Sequence, residues 1–216
     1  MPSTIAASSA AIPTSSIISS SVVVELGRRL RAYHDLIFSV PVTGTIFEEL
    51  FYQSVMAQFD RSMIVWHPNG HGSGVDISVS GTALSLKSAK LTKSCKNIEY
   101  SSFRTTSYKT IQEKTDFLDQ NHYDHLICLG RTETRTGGML SAVRYNLLEV
   151  KQTFRFSDLS WSEDDVNYTH APIEDGCAVI RKSRSDQLLV TIPWKHVTEL
   201  ATFNVPIQNP LMQAAP

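Results

Sequence analysis

The stretch from Gly74 to Lys87, Gly-Val-Asp-Ile-Ser-Val-Ser-Gly-Thr-Ala-Leu-Ser-Leu-Lys, leaves this chain little conformational choice. Val75, Ile77 and Val79 alternate with Asp76, Ser78 and Ser80, and Leu84 and Leu86 alternate with Ser85 and Lys87. A period of two belongs to a strand with one buried face. A two-residue loop that begins with glycine suits a type II′ hairpin turn, so Gly81-Thr82 is the expected turn. That register sets Ser80 opposite Ala83, Ser78 opposite Ser85, and Asp76 opposite Lys87. Opposed side chains have Cβ atoms only about 5 Å apart, so Asp76, Ser78, Ser85 and Lys87 share one polar face. The pair is open to two readings, a cross-strand ion pair on a solvated face and a candidate metal site.

Around the hairpin the apolar periodicity changes. Val23, Leu26, Leu30, Tyr33 and Ile37 follow helical spacing and predict a helix over about 22 to 38, ending before Pro41. Ile46, Phe47, Leu50, Phe51 and Val55 predict a second helix, with Thr45 as N-cap and Thr45-Ile-Phe-Glu48 as a capping box. Met63 to Trp66 reads as a short strand and His67 to Gly74 as a loop. Tyr108, Ile111, Thr115 and Leu118 predict a helix stopped at Asn121, and Leu126 to Leu129 a buried strand. Arg131 to Gly138 reads as an Arg/Thr/Gly loop, Val143 to Val150 as a strand, and residues 176–180 with 188–192 as a late hairpin. The polar stretch from Leu91 to Thr106 is compatible with helix or loop. This order lacks a βαβ series and predicts an α/β or α+β fold, a mixed β-sheet flanked by helices.

Of 216 residues, 42% are hydrophobic and 19% charged, with a formal net charge of −1, which suits an ordinary globular protein. One domain over 22–208 is expected, with a disordered or loosely docked tail at 1–21 and a C-terminal tail at 209–216. No apolar run is long enough to cross a bilayer, so no membrane partner is expected. Cys95, Cys128 and Cys177 are odd in number and far apart, which speaks against a disulfide framework and for a reducing cytoplasm. Near-neutral charge does not advertise nucleic-acid binding. Its distribution is more telling, because Lys87, Lys90, Lys93 and Lys96 recur every third residue while acids gather at 163–165 and 174–175.

With Asp76 on one strand and Ser85-Leu-Lys87 on the next, the chain resembles the PD-(D/E)XK nuclease superfamily, and within it the type II restriction endonucleases. The resemblance covers roughly residues 43 to 130: a helix bearing Glu48, the strand of Asp76, the returning strand of Lys87, a helix, and the strand Leu126 to Leu129. It implies a restriction-endonuclease-like core. Val75 stands where that family has Pro, and Ser85 where Asp or Glu is usual. A hard cation wants anionic oxygens, so the serine matters more. One branch of restriction enzymes is similar, with Ser in the strand and a glutamate about a dozen residues beyond the lysine; Glu99 stands near that position.

The resemblance then implies Mg²⁺ held by Asp76 and Glu99, with Glu48 in support. Lys87 would help orient the attacking water, and Ser85 a ligand water. Double-stranded DNA is the implied substrate and a homodimer the implied assembly, since two-fold symmetry matches a palindromic site. Lys90 and Lys93 are expected phosphate contacts, while Arg131, Arg135 and Arg144 are expected to meet the groove. Against these stand surface roles for Glu99 and the lysines, an incidental role for His67 and His71, and a rival Glu149-Val-Lys151 site with Asp124 upstream. A junction-cutting nuclease and a non-catalytic nucleic-acid-binding module are the competing functions.

Overall fold

The alternating stretches assemble into one mixed sheet in a computed structural model that describes residues 11–67, 74–91, 97–120, 123–164, 167–170, 176–182 and 185–208. Its strands are β1 (Ile64–Trp66), β2 (Ile77–Val79), β3 (Thr82–Leu91), β4 (Asn97–Arg104), β5 (His125–Thr136), β6 (Met139–Val150), β7 (Trp161–Glu163), β8 (Asn167–His170), β9 (Cys177–Arg181), β10 (Gln187–Pro193) and β11 (Val197–Pro206). They run in the order β11-β6-β5-β3-β4-β10-β9-β8-β7, and β2 joins β1 to β3. Among the described strands, β3 and β5 form the parallel pair. The helices are α1 (Thr14–Ile17), α2 (Ser20–Leu36), α3 (Gly44–Val55) and α4 (Ile111–Gln120).

Both faces of the sheet centre are covered. Leu84, Leu86, Ile127, Leu129, Tyr145 and Leu147 pack with Leu26 and Leu30 of α2 and Phe47 and Phe51 of α3. On the opposite face Ala89, Tyr100, Leu126, Cys128 and Leu148 pack with Leu118 of α4 and with Phe156. A strand buried on both sides carries apolar residues at successive positions, and Leu126 to Leu129 does so. Gly27 brings α2 onto β11, since a Cβ there would lie 3.0 Å from a ring carbon of Phe203.

Several expectations change here. Val79 pairs with Thr82, Ser78 with Ala83 and Ile77 with Leu84, so the turn is Ser80-Gly81 and the register moves by two residues. Ser80 (φ 49°) and Gly81 (φ 83°) both have positive φ, as a type I′ turn requires, and its twist matches that of the flanking strands. Helix α3 starts at Gly44 with Thr43 as N-cap, and that cap makes no side-chain capping hydrogen bond. The stretch Leu91 to Thr106 contains β4, and Arg131 to Thr136 continues β5 up to a turn at Gly137-Gly138. Part of the expected tail belongs to the domain: Ile17 is fully buried, and the Ile12 N–H donates to Thr82 Oγ1 at 3.0 Å. Residues 209–216 and Asn121 lie outside the described residues.

Candidate active site

Strand β3 keeps β5 beside it from Leu84 to Lys90. On its other edge β2 pairs only as far as Leu84, and β4 begins pairing only at Ala89. The sheet therefore forks along Ser85–Ser88, where backbone groups on that edge have no neighbouring strand. A buried N–H left there would cost roughly 1–3 kcal/mol.

Asp76 enters the fork. Its carboxylate Oδ2 accepts the Leu86 N–H at 2.6 Å, the Lys87 Nζ at 2.8 Å and, more weakly, the Ser85 Oγ at 3.4 Å. Its own backbone is held on both sides, with its N–H donated to Leu84 O at 2.9 Å and its carbonyl accepting the His67 N–H at 3.0 Å. Asp76 is only 8% exposed and Ser85 is fully buried. The Lys87 ammonium also donates to Leu86 O at 3.0 Å. Three of the sequence-predicted residues thus converge, though Asp76 and Lys87 meet diagonally rather than directly opposed. Cys128, across from Lys87 in the parallel register, is no rival nucleophile, because burial pushes its thiol up to about 12.

The expected carboxylate partners do not converge. Glu99 is opposite Lys90 on β3 and Thr191 on β10. Its neighbours Ile98 and Tyr100 face the α4 side with Ala89, so strand alternation turns Glu99 to the α2/α3 side, away from Lys87. Glu48 rides on α3, which also packs against the Leu84 and Leu86 side of β3. Among the described residues no group of three or more His, Cys, Asp or Glu side chains is placed to hold a metal. The fork still offers one fixed carboxylate, and Mg²⁺ is commonly held through one or two carboxylates together with phosphate oxygens and water. Asp76 meets the lower end of that requirement.

Helix α4 lies on the Lys87 side, but its acids are engaged. Glu113 accepts the N–H groups of Lys109 and Thr110 at 2.8 and 3.1 Å, bonds that hold its carboxyl below the ordinary range. Asp116 accepts from Gln112, and Asp119 takes the N–H groups of Phe156 and Ser157 at 2.7 and 2.9 Å. The rival site is also committed elsewhere. Glu149 accepts from Thr14 at 2.6 Å and lies 2.9 Å from His125 Nδ1, while Asp124 Oδ2 takes the Ala83 N–H at 2.7 Å.

The expected DNA contacts divide between the two faces. An i, i+3 spacing marks one side of a helix, but on a strand it reverses sides. Lys90 consequently faces away from Lys87. It shares a groove with Arg131, Arg181 and Glu99. Arg144 is exposed and stands opposite Thr132, on the side of Cys128 and Lys87; Arg135 is tied to Glu133 at 2.8 Å near the hairpin tip. Lys93 and His71 lie outside the described residues.

Two features escaped the sequence reading. Lys114 on α4 is buried and donates to Thr105 O, Tyr108 O and Asp186 Oδ2 at 2.9, 2.5 and 2.7 Å. On the same side of the sheet lies a cleft of about 680 Å³ lined by Tyr100, Phe103, Tyr123, Phe154 and Phe156. The long stem of Lys114 at a helical apolar position was a signal for the first. Nothing local announces the second, since its rings come from separate segments. The chain matches no family model, no curated protein and no solved structure.

Proposed function

We propose that the fork is the catalytic centre of a Mg²⁺-dependent, site-specific double-strand DNA endonuclease of restriction type, acting as a cytoplasmic homodimer. The observation that carries this reading is the 2.8 Å approach of Lys87 to Asp76 across a gap in the sheet. The order of helix, Asp76 immediately before β2, lysine strand, helix and buried strand supports it, although the expected place of the aspartate is on the strand itself and β4 is inserted after the lysine strand. Among the described residues no helix is long and apolar enough to cross a membrane.

Asp76 would hold the cation, with the remaining positions left to water and phosphate oxygens. Bound Mg²⁺ supplies Lewis-acid polarisation of the phosphate and a more acidic water. Lys87 would leave its ion pair to orient that water and offset the charge growing on the phosphate oxygens. Ser85, fixed beneath Asp76, would position a ligand water rather than bind metal itself. Arg144, on the same side, and Arg135 at the hairpin tip would meet the DNA.

The test is incubation of supercoiled plasmid with the protein and Mg²⁺, alongside Lys87→Ala. Discrete fragments from the wild-type chain and none from the variant are expected. Unchanged cleavage by Lys87→Ala removes the fork from the chemistry. A junction-cutting activity draws support from the aromatic cleft, because unpaired bases stack on aromatic rings; cleavage of branched DNA alone would select it. The single carboxylate at the fork is also compatible with a non-catalytic nucleic-acid-binding module, which would shift DNA without cutting it under any divalent metal.

A further inference from the structure

On the α2/α3 side of the sheet, a groove of about 320 Å³ is lined by Lys90, Glu99, Ser101, Arg131, Arg181 and Gln187, among others. These residues come from β3, β4, β5, β9 and β10, so only the assembled sheet creates the groove. It gathers three cationic side chains and one carboxylate in a chain whose net charge is −1. Among the described residues, none of the ion pairs engages Lys90, Glu99 or Arg181. Arg131 spends its Nε on Glu133 at 3.2 Å, and a guanidinium has further N–H donors to offer. Glu99 and Arg181 are half-buried, so their charges are not simply surrendered to bulk water. Lys90 and Arg131 are direct neighbours in the parallel register, so their like charges repel, and an anion would offset that repulsion.

We propose that this groove binds a small phosphomonoester whose organic part carries hydroxyl or amino donors. Lys90 and its register neighbour Arg131 would take the phosphate, the guanidinium able to engage two oxygens, while Arg181, three strands further across the sheet from Lys90, would donate to oxygens of the organic part. Glu99 only accepts hydrogen bonds when ionised, so it selects a ligand with a donor beside the phosphate and disfavours a bare anion. The volume lies at the lower end of small-ligand sites and matches a sugar phosphate or nucleoside monophosphate. The site stands on the face opposite Lys87 and does not rest on the nuclease reading.

The test is titration calorimetry of the full chain with ribose 5-phosphate, adenosine monophosphate and inorganic phosphate at fixed ionic strength. Saturable binding of at least one organic phosphate, at least tenfold tighter than inorganic phosphate, is expected. Arg181→Ala should weaken that binding at least tenfold, and Glu99→Gln should narrow the preference over inorganic phosphate, with unchanged far-UV circular dichroism in both. Tighter binding of the nucleotide would identify the base as part of the ligand, and equal binding of the two organic phosphates the sugar phosphate. No saturable binding, equal affinity for inorganic phosphate, or folded variants that bind as the wild-type chain does would each overturn the proposal.

Discussion

Lys87 and Asp76 are coupled through one carboxylate oxygen, and their substitutions should change both chemistry and stability. Lys87→Ala leaves Asp76 its Leu86 and Ser85 donors, so the chain should still fold, with a loss of cleavage of at least about 100-fold and a lowered melting temperature, since a carboxylate only 8% exposed loses its ammonium partner. Asp76→Ala should cost stability as well, about 1–3 kcal/mol, because it orphans the Leu86 N–H inside the fork. Parallel plasmid cleavage and thermal unfolding measure the two effects. Lys114 is the structural counterpart, a buried ammonium that ties the turn after β4 to Asp186. Lys114→Met removes the donor of two carbonyls and leaves Asp186 unpaired, and should cost roughly 3 kcal/mol in urea unfolding.

His34 adds a pH dependence. Its Nε2 lies 2.7 Å from Tyr145 Oη, which also accepts the Val42 N–H at 2.8 Å, and burial lowers the imidazole's pKa. The unfolded chain therefore binds a proton more readily than the folded one just below the ordinary histidine value of about 6.5. Stability present above that value should fall as the pH drops through it. Urea midpoints from pH 7.5 to 5 should show the decline, and His34→Gln should flatten it.

At the scale of elements, the β2–β3 hairpin shows why face and register are separate questions. Alternation sends Leu84 and Leu86 one way and Ser85 and Lys87 the other under either register, because both registers differ by two residues. The choice of turn then decided that Asp76 and Lys87 meet diagonally and not directly opposed. Gly81 at φ 83° occupies a conformation that costs other residues about 1–2 kcal/mol, so Gly81→Ala should destabilise the chain by about that amount in thermal or urea unfolding. The polar strands were harder to recognise. From Arg131 to Thr136 the residues are half-exposed or exposed and need no apolar alternation. β4 carries Ile98 and Tyr100 among polar neighbours, too little periodicity to identify a strand.

Across the whole molecule, the sheet separates two basic regions that a linear reading merges. Arg144 shares a side with Lys87, whereas Lys90 and Arg131 open onto the groove opposite. Under the endonuclease reading, Arg144→Ala should weaken DNA binding and reduce the salt slope by about 1, while Lys90→Ala should leave both nearly unchanged. DNA-binding isotherms at several salt concentrations distinguish them.

Local patterning by itself determined α2, α3, α4, the β2–β3 hairpin and the buried strand of Leu126 to Leu129, because apolar spacing reports which side of each element meets a core. It also brought Asp76, Ser85 and Lys87 into one candidate site. Only the tertiary structure decided that the site occupies a fork, that Glu99 turns away from it, and that Lys90 joins Arg131 and Arg181. Those outcomes depend on which strands become neighbours. Such pairings join residues far apart in the chain, and the local alternation of side chains does not specify them.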